Sequence, residues 1–297
     1  MLVAEGYSFT TVTPETHKRI LQRGAEGSSL RDIFGWNKRF QTASLAPSLA
    51  RCLEGAGEIL REGDLSRSAV RASTLDGQLF LHSGFPTADE NAVFFGPDSY
   101  RFVRLIEAGL AGIDRSEIKH VVDIGCGSGV GGIAAHRILG PGTQLTLSDI
   151  NERALAFSRV NSEINDLEDV SIVLADVLDG LPSNLDLIVS NPPYLVDDSK
   201  RLYRHGGGLL GFDLSLRIAE ESLQHLRPGG RLILYTGSPI IDGRDLFQDA
   251  LRPLLAGPNV SAAYSEVDPD VFGEELERAP YHSADRIAVV ALRLVKR

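Results

Sequence analysis

A short apolar run that breaks into a glycine-rich loop is the feature that most constrains the fold of this chain. Residues 121–124 read Val-Val-Asp-Ile, residues 125–129 read Gly-Cys-Gly-Ser-Gly, and apolar residues at helical spacing continue to Leu139. This order predicts a buried strand, a tight loop and a helix. Glycines let the backbone approach a ligand closely, and free N–H groups at a helix start favour a negatively charged group. The segment therefore predicts a ligand site in an α/β fold.

The loop alone is compatible with more than one class of cofactor. Gly127, Gly129 and Gly132 have the spacing of the dinucleotide-binding fingerprint. Asp149 follows about 20 residues later, where a ribose-binding acid is expected. A nicotinamide-dependent oxidoreductase is therefore an alternative at this point.

Two carboxylates favour S-adenosylmethionine, which carries positive charge and an amine donor but no phosphate. Asp123 ends the predicted strand before the loop, and Asp176 follows the apolar run 170–174. Ligands of open α/β sheets bind at the carboxyl ends of the strands, where both acids are expected.

A second motif, Asn191-Pro192-Pro193-Tyr194, follows the predicted buried strand 185–190. The side-chain oxygen of Asn191 and the carbonyl of Pro192 can each accept one N–H of a planar NH2 group, which orients its lone pair outward. The two prolines hold the turn rigid, and Tyr194 is expected to lie against the flat face of the acceptor. The motif predicts an acceptor that is an amide or an exocyclic amine.

Together these motifs resemble the class I S-adenosylmethionine-dependent methyltransferases, from about Phe95 to the C-terminus. The resemblance implies an α/β fold with a seven-stranded Rossmann-like sheet, S-adenosyl-L-methionine as cofactor and transfer of a methyl group to nitrogen. It assigns the methionine moiety to the glycine loop, the ribose hydroxyls to Asp149 and the adenine to Ile150 and Asp176. The implied cofactor-binding residues are Asp123, Gly125, Gly127, Gly129, Asp149, Ile150, Asp176, Val177 and Asn191, and the implied catalytic residues are Asn191, Pro192, Pro193 and Tyr194.

Residues 205–213, which read His-Gly-Gly-Gly-Leu-Leu-Gly-Phe-Asp, resemble a segment of the HemK-type family, the glutamine methyltransferases of polypeptide release factors. Phe212 and Asp213 depart from the Leu-containing helix start of that family. The resemblance makes a protein glutamine amide the first expected acceptor, with a release factor as a candidate partner and protein favoured over nucleic acid. The alternative is the N6 amine of adenine, or another exocyclic amine, in RNA or DNA. A noncatalytic cofactor-binding regulator is an alternative of another class.

Charge is divided unevenly along the chain. Residues 1–85 carry ten Lys and Arg against nine Asp and Glu, so the remaining residues carry a net charge of −11 within the chain total of −10. A broad phosphate-binding surface needs the opposite sign. We therefore expect no tight nonspecific nucleic-acid binding by the acidic part.

The first 85 residues are predicted to form a separate, winged-helix-like recognition domain, and residues 86–297 the catalytic domain. Apolar spacing predicts helices over about 14–23, 29–35 and 44–60. Alternating runs over 70–75 and 78–82 flank Asp76-Gly77, a strong hairpin signal.

Other features bear on compartment and on the walls of the site. No membrane span or secretion signal is visible, and Cys52 and Cys126 lack metal-ligand spacing, so we expect a cytoplasmic protein without a metal site. Phe95 and Tyr100 are candidates for a lid over the cofactor, with interdomain packing as the alternative. The long connection 268–285 is a candidate wall of the substrate pocket.

Overall fold

The computed structural model describes all 297 residues, and its N-terminal part consists of short helices and two hairpins. A single π-helical turn, Arg31–Gly35, lies between the two α-helices. The elements of this part are α1 (Pro14–Gln22), α2 (Pro47–Gly55), β1 (Ile59–Glu62), β2 (Leu65–Ser68), β3 (Val70–Leu75) and β4 (Gln78–Ser83).

The remainder of the chain alternates strands with helices. Its strands are β5 (His120–Ile124), β6 (Gln144–Asp149), β7 (Val170–Leu174), β8 (Leu185–Ser190), β9 (Leu226–Ile241), β10 (Arg244–Asp245), β11 (Val260–Asp268) and β12 (Arg286–Lys296). Its helices are α3 (Pro97–Leu110), α4 (Val130–Leu139), α5 (Glu152–Ile164), α6 (Asp213–His225) and α7 (Leu246–Leu255).

Seven of these strands form one sheet in the order β11-β12-β9-β8-β5-β6-β7, and the two-residue β10 pairs with β9. The pairs from β7 to β9 are parallel, whereas β12 is antiparallel to both β9 and β11. This arrangement confirms the predicted α/β fold with a seven-stranded Rossmann-like sheet. It also brings the carboxyl ends of β5, β6 and β8 to one edge.

Both faces of the sheet are buried, as a parallel sheet requires. Val121 belongs to a core that contains Ile106 of α3 and Ile133 of α4. The adjacent Val122 belongs to a separate core with Ile188 and Ile218 of α6. None of the helices combines the length and apolar character needed to cross a bilayer.

The N-terminal part confirms one predicted hairpin and corrects a predicted helix. Asp76 and Gly77 both have positive φ, 50° and 79°, and join β3 to β4. The predicted helix over 44–60 is wrong in extent, because α2 ends at Gly55 and the chain enters β1 at Ile59. The β1–β2 hairpin was not predicted, since its strands are only four residues long.

Packing between the two parts is close. Phe34, Phe40 and Leu53 share a hydrophobic core with Ala154 and Phe157 of α5. The side chain of Asn161 exchanges two hydrogen bonds with the backbone of Leu81 in β4, at 2.7 and 2.9 Å. A domain boundary at residue 85 stays a prediction.

Candidate cofactor and acceptor site

A cavity opens where β5, β6 and β8 end, and it encloses about 980 Å³ including its open mouth. Its position is where ligands of open α/β sheets bind. All of the predicted site residues except Tyr194 and Gly129 line this cavity. The predicted residues that line it are Asp123, Gly125, Gly127, Asp149, Ile150, Asp176, Val177, Asn191, Pro192 and Pro193.

The glycine loop follows β5 directly and leads into α4. Gly125, Gly127 and Gly129 have φ of 63°, 55° and 80°, a region that side chains with a Cβ rarely adopt. Gly129 is the N-cap of α4, so the free N–H groups of that helix begin at the cavity. Gly129 itself packs against the side chains of Ile133 and Leu147 and does not line the cavity.

Asp123 is a buried carboxyl group between β5 and α4. One of its oxygens accepts a hydrogen bond from the backbone nitrogen of Gly132 at 2.7 Å. Its pKa is raised to about 7: burial is the largest cause, the Gly132 bond opposes the shift, and the nearby charge of Asp149 adds to it. A cationic ligand beside it would favour the ionised form.

Asp149, at the end of β6, ties the glycine loop to the next turn. Its two carboxylate oxygens accept from the backbone nitrogens of Gly127 and Asn151, each at 2.9 Å. Burial raises its pKa, and these bonds oppose the shift. A carboxylate has about four acceptor positions, so capacity remains for hydroxyl donors. The adjacent Ile150 is 52% exposed at the cavity.

Asp176 lies at the outer rim of the cavity. Its side chain is 60% exposed, and it pairs with Arg217 of α6 at 2.9 Å. Arg217 also pairs with Glu221, at 2.6 Å. The adjacent Val177 is buried with a φ of 56°, an outlying conformation for a β-branched residue. Outliers of this kind persist only where the surroundings enforce them.

The turn after β8 presents unpaired acceptors to the same cavity. The carbonyl of Pro192 accepts no backbone hydrogen bond, and the side chain of Asn191 makes none with the protein. Ser190, just before the turn, is anchored by its hydroxyl to the carbonyl of Ile124 at 2.8 Å. Two acceptors are therefore held beside the glycine loop without internal partners.

Tyr194 stands apart from the other three residues of its motif. Its ring is only 7% exposed and does not line the cavity. Its hydroxyl donates to Asp98 at 2.7 Å, and its edge meets the ring of Phe272 at a centroid distance of 6.0 Å. Stacking of this ring on an acceptor stays a prediction.

Sequence reasoning missed the roof of the cavity. Phe94 and Tyr203 line it, and their ring planes lie 3° from parallel. The hydroxyl of Tyr203 donates to the carbonyl of Thr87 at 2.8 Å. Phe95 and Tyr100, the predicted lid residues, instead pack on each other in the core. The adjacent aromatic residues Phe94 and Phe95 indicated that one of them could cover the cavity, but the sequence alone did not show which of the two faces it.

The long connection before β12, residues 269–285, contacts the backbone just after Asn191–Tyr194, the turn that is called the acceptor turn from here on. The hydroxyl of Tyr281 accepts from the backbone nitrogen of Val196 at 2.9 Å and donates to the carbonyl of Leu210 at 3.2 Å. Arg278 bonds the carbonyl of Val196 at 3.1 Å. None of the residues 268–285 lines the cavity, so the role of this connection as a wall of the substrate pocket stays a prediction.

A family model described as the methyltransferase small domain matches residues 110–240. A protein of Pseudomonas putida named ribosomal RNA small subunit methyltransferase C is 34% identical over 44% of this chain and 38% of its own length. Its namesake from Pseudomonas aeruginosa is 38% identical over 40% of this chain and 32% of its own length. The chain thus spans under two fifths of the length of these relatives.

A solved structure of Trm5b from Pyrococcus abyssi has the same fold, with a TM-score of 0.52 and 15% identity. The match covers 80% of this chain and 62% of that one. The family and fold matches confirm the class I methyltransferase and small-domain resemblance.

The predicted preference for a protein partner over nucleic acid is wrong, because the curated relatives are named as ribosomal RNA methyltransferases. The error has a physical source. The role predicted for the Asn-Pro-Pro-Tyr turn suits an amide and a nucleobase amine equally, so the motif carries no information on the macromolecule. Net charge averaged over 212 residues does not report on one binding face either.

Proposed function

We propose that this chain methylates an exocyclic amine of a nucleobase in RNA, with S-adenosylmethionine as methyl donor; the match of residues 110–240 to the methyltransferase small domain supports this. The observation that carries the proposal is the juxtaposition of two sets of groups in one cavity. The glycine loop and its acids line this cavity, and so do Asn191 and Pro192, whose acceptors have no partner within the protein.

The residues of the cavity fit S-adenosylmethionine. Gly125 and Gly127 leave the backbone of the loop uncovered, and Asp123 supplies a carboxyl group near the predicted methionine end. Asp149 keeps acceptor capacity for the ribose hydroxyls, and Ile150 offers an exposed apolar face for the adenine. Asp176 is the proposed partner of the adenine amine, with Arg217 orienting its carboxylate. The cofactor, when bound, supplies an electrophilic methyl group on a sulfonium.

The acceptor side works by orientation. The proposed contacts from the amine to the Asn191 side-chain oxygen and the Pro192 carbonyl engage its two N–H groups and leave the lone pair free to attack. With S-adenosylmethionine bound as methyl donor, the amine held by Asn191 and Pro192 would accept the methyl group as its bond to sulfur breaks, and the nitrogen would release one proton to solvent. Tyr194 is not a base for this proton, because burial raises the pKa of its hydroxyl. Proximity and oriented dipoles account for the catalysis.

RNA is the proposed macromolecule because the curated relatives are named for ribosomal RNA. Residues 1–85 are the proposed recognition domain, and their near-neutral charge suits contacts to RNA shape or bases more than to phosphates alone. The cytoplasm is the proposed compartment, since both cysteines are free thiols and the proposed substrate is RNA.

The test is a transfer assay with methyl-labelled S-adenosylmethionine and a bacterial extract depleted of endogenous methyltransferase activity. Label in the RNA fraction, recovered after nucleoside digestion as a base methylated on its exocyclic amine, is the expected result. Label confined to protein, or to a ring nitrogen or the ribose, would contradict the proposal. Comparison of the adenosine, guanosine and cytidine products would identify the base.

A further inference from the structure

The first turn of α3 contains a buried carboxylate that the proposed reaction does not use. Asp98 is 6% exposed. One oxygen accepts from the Tyr194 hydroxyl at 2.7 Å, and the other accepts from the Tyr235 hydroxyl at 2.9 Å and from Arg101 at 3.1 Å. A buried charge is costly unless it is paired and hydrogen-bonded, and Asp98 is both.

The charge compensation at this site is shared. Arg101 also pairs with Asp268 of β11 at 2.8 Å and is partly open to solvent. Arg101 therefore does not neutralise Asp98 alone, and the two phenol hydroxyls supply the remaining stabilisation. Hydrogen bonds to an ionised acceptor are shorter and about twice as strong as neutral ones. The bond to Tyr194 is of this kind.

The ring of Tyr194 is enclosed on its other sides too. A Cβ built on Gly237 of β9 would lie 2.2 Å from its Cδ2 atom, so the ring lies directly on the backbone there. The backbone of Tyr194 packs against a second glycine, Gly211: a Cβ built there would lie 2.5 Å from the Tyr194 carbonyl oxygen. A ring fixed in this way also fixes the turn that precedes it.

From these contacts we infer that Asp98 is a positioning residue for the acceptor turn: through the Tyr194 hydroxyl it sets where Asn191 and Pro192 stand relative to the glycine loop. The inference rests on the proposed function of that turn. Its physical basis is that the rate of an oriented transfer depends steeply on geometry, and a displacement of about 1 Å can cost roughly a hundredfold.

The inference gives Tyr194 the role of an anchor, and a matched set of variants tests it. Tyr194→Phe keeps the ring and deletes the bond, and Asp98→Asn keeps the shape and removes the charge. Tyr264→Phe is the control, because it deletes a phenol–carboxylate bond of the same kind, to Asp245 at 2.7 Å, that does not involve Asp98 or the cavity. The assay is methyl transfer to RNA, with S-adenosylhomocysteine affinity measured by calorimetry.

We expect Tyr194→Phe and Asp98→Asn each to lower kcat roughly tenfold to a hundredfold, the range that follows from losing one charged hydrogen bond. The dissociation constant of S-adenosylhomocysteine should stay within about twofold, since neither group reaches the glycine loop. The double variant should be no slower than the slower single variant, because both changes act on the same hydrogen bond. Tyr264→Phe should keep kcat within about twofold of wild type, because its bond to Asp245 shares no partner with Asp98 or Tyr194.

Full activity of Tyr194→Phe would overturn the inference, and so would effects that multiply in the double variant. If Asp98→Asn does not fold, Tyr194→Phe alone decides: reduced kcat at unchanged cofactor affinity supports the inference, and unchanged kcat refutes it. A wild-type protein that binds S-adenosylhomocysteine but labels no RNA would instead contradict the proposed function. The two failures are therefore distinguishable.

Discussion

The carboxylate of Asp149 accepts a hydrogen bond from the backbone nitrogen of Gly127 at 2.9 Å, which ties the end of β6 to the loop after β5. The same carboxylate is the proposed partner of the ribose hydroxyls. One side chain therefore shapes the glycine loop and remains available to a ligand.

Replacing Asp149 by Ala should remove cofactor binding and also loosen the loop. It deletes two hydrogen bonds from backbone nitrogens to a charged acceptor, which are worth about 1.5–3 kcal/mol each. We expect S-adenosylhomocysteine affinity to fall more than about tenfold in calorimetry and the melting temperature to fall as well. Asp179→Ala is the control, because this exposed acid does not line the cavity. Equal affinities in the two variants would refute the assignment of Asp149.

Cofactor affinity should depend on pH through Asp123. Burial raises its pKa to about 7, so the group ionises between about pH 6 and 8. If the ionised form attracts the cofactor ammonium as proposed, the affinity for S-adenosylhomocysteine should rise roughly fivefold to tenfold across that window, with proton release on binding. Asp123→Asn should abolish the dependence. A flat wild-type profile, or the same slope in Asp123→Asn, would contradict this role.

The same shift has a consequence for the free protein. Because the folded pKa of Asp123 lies above its unfolded value near 4, the neutral carboxyl contributes stability that is fully present below that unfolded value. The contribution is lost as pH rises through about 7. Chemical denaturation at pH 5.5 and pH 8 should show this loss in wild type and not in Asp123→Asn, where no charge develops.

Packing at the start of α4 should tolerate no added methyl group. A Cβ on Gly131 would lie 2.3 Å from a ring carbon of Phe102 and 3.0 Å from an Asp123 oxygen. We expect Gly131→Ala to lower the free energy of unfolding by about 1–3 kcal/mol. Gly55→Ala, also in a helix but with open space around it, should be neutral or stabilising by up to about 1 kcal/mol. Urea unfolding of both variants measures the difference.

Local chemistry made much of the fold predictable. The apolar residues 121–124 followed by the glycines of 125–129 indicated a strand and a tight turn. Asp76-Gly77 indicated the turn between β3 and β4, and both residues adopt positive φ there. Strand order then follows from the resemblance. The prediction of short elements failed. The four residues of β1 show too few alternations of apolar and polar residues to outweigh the helical pattern that precedes them.

The contacts that were not predicted join residues distant in sequence. Asp98 lies 96 positions before Tyr194, and Arg217 lies 41 positions after Asp176. Such pairs depend on how the helices dock on the sheet, and no local pattern encodes that docking. The motif alone predicted that Tyr194 lies against the acceptor, and it gave no indication that a carboxylate 96 positions earlier bonds the Tyr194 hydroxyl.

Asn191 is the proposed holder of the acceptor amine, and single-turnover methyl transfer to RNA by wild type and Asn191→Ala tests this role most directly. Transfer should fall more than about a hundredfold in the variant, while calorimetry should show S-adenosylhomocysteine affinity within about threefold of wild type. Asn259→Ala, an exposed asparagine remote from the cavity, should match wild type in both measurements. Wild-type transfer by Asn191→Ala, with its cofactor affinity intact, would contradict the proposed role of Asn191.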